Sequence, residues 1–361
     1  MTNIVVLGAG VIGLTTALEL KIWNPKLDIT IVGQFLPGDL DPTYTSPYAG
    51  ANHHSFASEQ DKVLQEIDKV AYKKFLQLAK NDPIRSGIWS IDNVSYFTDY
   101  EVTSKKGNFK KMIPWFRDFV EDFKILDKSE IPFNDISFGT KYKGVVISVP
   151  TYLNYLVQQN KEVGNKIFKI QPVKNIEKAR SLHSSGKKAD YVINATGLNA
   201  TKIAGVEDKK LTFPVRGQVI LVKNNAKVQL NVEGFPGSPN EMLYMMPRRE
   251  GGTIIGGCFL PNDTNTKEDK EFTKRIIRRA IKYAPELIDP KFKKNPSELV
   301  IERVQVGFRP FREDEVRVEK DKKKPWLIHN YGAGGGGYQS SFGLGKQVVN
   351  ILSNELRNSK L

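Results

Sequence analysis

The sequence predicts an α/β protein of two interleaved units, one a parallel sheet covered by helices and the other a mixed-sheet α+β unit. Three observations lead there. Near the start, the apolar run Ile4-Val5-Val6-Leu7 enters Gly8-Ala9-Gly10-Val11-Ile12-Gly13. Near the end, Trp326-Leu327-Ile328 is followed by Gly332-Ala333-Gly334-Gly335-Gly336-Gly337. Each reads as a buried strand, a backbone-only turn and a helix start. Midway, Tyr191-Val192-Ile193 is a third short buried strand, running into Asn194-Ala195-Thr196-Gly197. Strands of one sheet therefore come from both ends and the middle of the chain, and the units interleave.

In order, Ile4–Leu7 is the first strand and Val11–Trp23 the helix behind it, with Leu14, Ala17 and Leu18 on its apolar face and Asn24-Pro25 ending it. Ile29–Val32 is the second strand. Residues 44–52, rich in Ser, Pro and Gly, form a loop, and Asp61–Leu78 has helical spacing at Val63, Ile67, Val70 and Leu78. Residues 84–149 read as short strands and loops. Tyr152–Gln159 is helical, residues 214–223 and 242–257 alternate as strands do, and Lys267–Tyr283 is a charged helix ended by Pro285. Leu299–Val306 and Trp326–Asn330 are strands, and Gly337–Leu356 is the last helix. No internal repeat interrupts this order.

A chain of 361 residues, 40% hydrophobic and 26% charged, has an ordinary globular composition and the length for two domains. No apolar stretch approaches the roughly 20 residues of a membrane helix. Met1-Thr2-Asn3 carries no basic cluster, so the start does not read as a secretory signal. Cys258 is the only cysteine, which rules out an intrachain disulfide. The net charge of +14 comes from scattered lysines without a nucleic-acid module, so it reads as solvated faces and no nucleic-acid partner is expected. The terminal Ser359-Lys360-Leu361 matches a peroxisomal address read by an import receptor, and the polar segment 354–358 before it favours exposure.

The chemistry-bearing residues sit at these turns. With a strand before and a helix after, Gly8 permits the tight turn, Gly10 lets a pyrophosphate approach, and Gly13 packs the helix on its strand. The bland alternative is a tight turn with no ligand. Helix starts and bare backbone N–H groups favour negative charge. A dinucleotide offers that charge twice if its redox ring becomes anionic, as reduced flavin does and nicotinamide does not. The acidic ribose partner usual at the end of the second strand is missing. Gln34 stands there, with Asp39 or Asp41 as loop alternatives. Arg309, in Val306-Gly307-Phe308-Arg309-Pro310, is placed at a strand end to fork onto a carboxylate; the alternative is a surface arginine like Arg312. Tyr244 and Phe259 are either pocket aromatics or plain core. His53, His54, His183 and His329 lack metal spacing, so no metal is expected, and no nucleophile elbow is present.

Taken together, Leu327-Ile328-His329-Asn330-Tyr331-Gly332 through Gly337, continuing with Tyr338 and Gln339, resembles the signature of the D-amino-acid oxidase family, with Gly345 where alanine is usual. Ser46-Pro47-Tyr48-Ala49-Gly50-Ala51-Asn52 and Pro214-Val215-Arg216-Gly217-Gln218 resemble family segments too. The resemblance covers nearly the whole chain. It implies a Rossmann-like FAD-binding domain over 1–57, 141–213 and 298–361, and a mixed-sheet α+β substrate-binding domain over 58–140 and 214–297. It implies noncovalent FAD, with Gly8, Gly10, Val11, Ile12 and Gly13 at the pyrophosphate and Gln34 at the ribose. Ala49, Gly50, Ala51 and Asn52 would run along the flavin ring, Thr196 and Gly197 would lie against the cofactor, and Gly334, Gly335, Gly336, Gly337, Tyr338 and Gln339 would face the pyrimidine end of the ring. Arg309, itself beside the cofactor, would bind the substrate α-carboxylate with Tyr244. Phe259, Gly335 and Gln339 would complete the substrate pocket.

The implied reaction is hydride transfer from a D-amino acid to flavin N5 with no side chain as acid or base. Dioxygen then reoxidises the flavin, yielding 2-oxo acid, ammonia and hydrogen peroxide. Phe259 stands where the D-aspartate oxidases resemble one another in carrying arginine, which favours neutral D-amino acids. His53, His54 or Arg216 are the residues that could overturn that preference by reaching the pocket. The stretch from Val222 to Tyr244, rich in Gly and Pro, is a candidate lid, and a homodimer is an expected assembly. D-aspartate oxidase, a NAD-dependent dehydrogenase and a noncatalytic FAD-binding protein are the competing readings.

Overall fold

A computed structural model of the chain describes residues 2–288 and 299–358. Ser359-Lys360-Leu361 lies outside the described residues. In chain order the strands are β1 (Asn3–Leu7), β2 (Asp28–Gly33), β3 (Asn52–His53), β4 (Ile88–Thr98), β5 (Lys124–Ile125), β6 (Ile136–Ile147), β7 (Lys166–Lys169) and β8 (Tyr191–Asn194). The later chain adds β9 (Thr212–Val222), β10 (Gln229–Glu233), β11 (Glu241–Pro247), β12 (Thr253–Cys258), β13 (Leu260–Pro261), β14 (Ile301–Arg312), β15 (Arg317–Lys320) and β16 (Leu327–Tyr331).

The continuous apolar character of β1 follows from burial on both faces. Ile4 and Val6 join a core with residues of the helices Val11–Trp23, Lys62–Asn81, Val149–Glu162 and Ser341–Asn358, whereas Val5 and Leu7 pack with Val32, Val192 and Leu327 against Ile176 and Ala179. The sheet so enclosed runs β15-β16-β8-β1-β2-β7. β1 pairs in parallel with β2 and β8, β16 with β8, and β7 with β2, while β15 closes one edge antiparallel. The expected α/β class and Rossmann-like parallel sheet are borne out.

A second, ten-stranded sheet runs β13-β9-β12-β11-β10-β4-β6-β3, with β14 also on β9 and β5 on β6. Its strands alternate. Leu230, Val232, Leu243 and Met245 pack on Phe272, Ile276 and Ala280 of the helix Lys270–Tyr283. The intervening residues of β10 and β11 face the opposite way, into the cavity described below.

Three expectations change. Residues 84–149 contain not short strands but β4 and β6, eleven and twelve residues long, paired from Ile88↔Ile147 to Thr98↔Ile136. Their alternation is masked by Asn93 and Ser95, which are buried yet bonded to Tyr142, Gln229 and Asn231. β14 extends to Arg312, so Arg309 lies inside a strand rather than at its end. The last helix begins at Ser341, and Gly334–Gly336 forms a separate 3-10 turn. Consecutive glycines carry a large entropic penalty in a helix, and Gly334 has φ +54°, outside the helical range. β3, β6 and β14, which the division drawn from sequence assigns wholly or partly to the cofactor unit, all belong to the ten-stranded sheet. Among the described residues no helix is long and apolar enough to cross a membrane.

Candidate active site

The turn after β1 is shaped by close approach. Gly8 has φ +116°, and a Cβ there would collide with the Ala195 carbonyl at the exit of β8. Its N–H donates to Val32 O at 2.8 Å, tying the turn to β2. The helix Val11–Trp23 starts without a side-chain cap or an acidic residue in its first turn. Val11 N–H donates to Ser46 Oγ at 3.0 Å and is therefore engaged. Ile12 and Gly13 supply the next orphan donors of that helix start.

Ser46 also joins the two ends of the chain. Tyr338 Oη donates to Ser46 O at 2.9 Å, and Tyr44 Oη donates to Ala9 O at 2.9 Å. The C-terminal glycine turn thus lies beside the N-terminal one. Below it, the buried Asp68 carboxylate accepts from Ser340 Oγ at 2.6 Å, Ser55 Oγ at 2.5 Å and Gln339 Nε2 at 3.4 Å. Burial pushes the Asp68 carboxyl up, and those donors oppose it. Asn52 and Ala51 are held along β6, where Ala51 and Ile147 exchange backbone hydrogen bonds at 3.1 and 2.9 Å.

At the end of β2, Gln34 faces the cavity. The two aspartates do not reach it. Asp39 accepts from Leu36 N–H and Lys169 Nζ, both at 2.8 Å, and Asp41 accepts from Thr43 N–H at 2.9 Å.

Arg309 is fixed by three elements. Its Nη1 donates to Cys258 O at 2.9 Å and to Arg216 O at 3.5 Å, and its Nη2 donates to Tyr244 Oη at 3.4 Å. The guanidinium lies across Gly217, where a Cβ would sit 2.8 Å from it. The Tyr244 ring covers Gly256 and Gly257 in the same way. Burial pushes the Tyr244 phenol up, with Arg309 opposing, so it stays a donor at neutral pH. Phe259 is 44% exposed and meets Phe311 edge-on at 5.2 Å, forming a rim rather than a deep wall.

Arg216 does not enter the cavity. Its guanidinium donates to Asn265 O, Lys267 O and Gln218 Oε1 at 2.7–3.1 Å. His53 is bonded to Asp68 O at 3.0 Å. His54 lines the cavity but is bonded to Tyr142 Oη at 3.1 Å. Burial pushes both imidazoles down to about 4, so both are neutral at pH 7.

These pieces enclose one cavity of about 1640 Å³. It contains every site residue named from sequence except Gly13, which packs the helix from behind. The volume exceeds an ordinary small-molecule pocket and suits a dinucleotide together with a substrate. Sequence reading missed Tyr48, Phe56, Asn231, Glu233, Met246 and Phe311, which also line it. Phe56, four residues beyond Asn52, was within reach of the loop pattern. Tyr48 lies in the 3-10 turn Ser46–Tyr48 of that same segment, whereas Asn231, Glu233, Met246 and Phe311 are chosen by strand pairing and carry no local signal. In the lid candidate, Gln229–Glu233 is strand β10 and only 234–240 connects it to β11.

A family profile described as FAD dependent oxidoreductase matches residues 3–351. The chain is 35% identical to a D-amino-acid oxidase of Fusarium vanettenii, over 98% of this chain and 97% of that one. It is 27% identical to a D-aspartate oxidase of Talaromyces thermophilus, over 97% and 95%. Among solved structures, glycine oxidase from Bacillus cereus superposes with a TM-score of 0.75 at 17% identity, covering 98% of this chain and 96% of that chain.

Proposed function

This chain belongs to the FAD-dependent oxidoreductase family, and from that premise we propose that it is a D-amino-acid oxidase, converting a D-amino acid, dioxygen and water to a 2-oxo acid, ammonia and hydrogen peroxide. The observation that carries this reading is that Arg309 and Tyr244 share one cavity with both glycine-rich turns. The residues fit FAD. Bare backbone at Gly8 and Gly10, with Ile12 at an uncapped helix start, suits a pyrophosphate, while Ala49–Asn52 and Gly334–Gln339 would flank the ring. Bound FAD supplies a two-electron acceptor that dioxygen reoxidises.

The chain itself supplies binding and orientation. Arg309 offers two N–H groups to the substrate α-carboxylate, and Tyr244 Oη donates to the same group. Gly335, with Arg309 Cδ and Phe56 as neighbours of its Cα face, leaves room for Cα of the substrate beside the ring. With the amine bound neutral, no side chain has to remove a proton from Cα, so positioning is the main device. A second carboxylate would meet Phe259 and neutral His54, with Arg216 engaged elsewhere, so neutral side chains are preferred over aspartate.

The Ser359-Lys360-Leu361 tripeptide supports a peroxisomal matrix location, where a peroxide-forming oxidase is chemically coherent; a fluorescent fusion with and without the tripeptide tests it. For the activity, the purified protein should be yellow and should bleach under nitrogen with D-alanine but not L-alanine. A colourless protein would point to a nicotinamide dehydrogenase. A yellow protein that no D-amino acid bleaches would be a noncatalytic flavin carrier.

A further inference from the structure

Three carboxylates face the cavity on or beside β10 and β11: Glu101, Glu233 and Glu241. Two are already matched by cations. Glu241 is clamped by Arg275 and Arg279, each at 2.7 Å, and Glu101 pairs with Lys105 at 2.7 Å. Glu233 differs. Among the described residues its carboxylate makes no hydrogen bond or ion pair, and Lys105 and Glu101 act on it only from beyond contact. Leaving an acid mostly buried and unmatched is costly unless something else meets it.

The strand register says what could. Asn231 lies directly opposite Tyr244, and Glu233 is two residues further on the same face. That places it roughly 7 Å along the strand from the residue facing Tyr244. Glu233 lines the same cavity as Arg309 and Tyr244, so a substrate held there by its α-carboxylate can extend its side chain toward it. A flexible four-carbon stem can carry a terminal group across a separation of this order.

We propose that Glu233 is a specificity-determining residue that extends the substrate range to D-amino acids whose side chain ends in an ammonium group, as in lysine and ornithine. The inference rests on the oxidase reading above and deepens it. Burial pushes the Glu233 carboxyl up, Lys105 opposing and Glu101 adding, and an arriving ammonium supplies the opposite charge that favours its ionised form. The same carboxylate disfavours an acidic side chain, a second reason for D-aspartate to be slow.

The test compares flavin-loaded wild type with E233Q on D-alanine and D-lysine. Wild type should oxidise both. E233Q should raise KM for D-lysine about tenfold, the loss of one partly solvated charge-assisted contact, and leave kcat and all D-alanine kinetics unchanged. A dead-end pair supplies a readout without turnover: 6-aminohexanoate should perturb the flavin absorbance at lower concentration than hexanoate in wild type, and E233Q should erase that preference. An unchanged D-lysine to D-alanine ratio in E233Q overturns the inference, as does equal loss on both substrates, which would place Glu233 at the α-amino group. Those outcomes leave the oxidase reading intact, whereas no bleaching by either substrate overturns both.

Discussion

Arg309 gains its geometry from uncharged acceptors, the Cys258 and Arg216 carbonyls and the Tyr244 hydroxyl. Replacing it by Ala should leave the flavin bound and cost about 1.5–3 kcal/mol in kcat/KM for D-alanine, the range of a charge-assisted hydrogen bond. Near-normal turnover would remove it from the site. Gly217→Ala is a subtler probe, because its Cβ would meet the movable guanidinium 2.8 Å away without altering any charge. Turnover of D-alanine should fall roughly tenfold to a hundredfold through misplacement alone, with the melting temperature unchanged. The glycine turn separates similarly. At Gly335 a Cβ would make ordinary contact with Phe56 at 3.4 Å and Arg309 Cδ at 3.6 Å, so Gly335→Val should fold and impair reduction by D-alanine. At Gly334, with φ +54° and Phe311 2.7 Å away, the same change should lower the melting temperature itself. Arg309 was legible in sequence because guanidinium chemistry beside Gly and Pro is a local pattern. Glu233 and Asn231 were not, because their role depends on which strand lies opposite.

At the scale of elements, Asp208 joins the two sheets. It accepts from Arg312 Nε and Nη2 at 2.8 and 2.9 Å and from Tyr331 Oη at 2.7 Å, linking β14 of one sheet to β16 of the other. Burial pushes its carboxyl up, but Arg312, Tyr331 and Arg317 together hold it well below the usual carboxylate range. A depressed folded value means the contribution is complete above the unfolded value near 3.9 and fades as the pH falls further. Asp208→Asn should therefore cost about 2 kcal/mol at pH 7, somewhat less than a fully buried pair because Arg317 keeps Glu319 at 2.7 Å, and should flatten the acid limb of the stability curve. Equal denaturation midpoints for variant and parent would exclude this link. Elements of the parallel sheet were readable because both-face burial makes short apolar runs. β4 and β6 were hidden because their buried polar side chains satisfy one another across strands, which no single-strand pattern reveals.

For the whole molecule, the neutral buried His53 and His54 set a second pH dependence. Their folded values near 4 lie below the unfolded 6.5, so the unfolded chain binds more protons between those limits and stability falls as pH drops through that window. The urea midpoint should be lower at pH 5 than at pH 7, and His54→Gln should reduce the difference; identical slopes would refute the assignment. Added FAD should raise the midpoint at either pH, since only the folded chain assembles the cradle.

The joining of the first turn to the last through Ser46 also bears on synthesis. Domains generally fold as units during synthesis, N-terminal first, while a ribosome adds about 5–20 residues per second. Here β1 emerges first, yet β16, its neighbour but one in the sheet, and the glycine turn beyond it emerge only after residue 326. The direct partners of β1, β2 and β8, are made by residue 194, but the other edge of β8 stays unpaired until β16 has been made. Assembly of the cofactor cradle therefore follows synthesis of residues 332–339, and until β16 is made β8 presents an unpaired parallel edge.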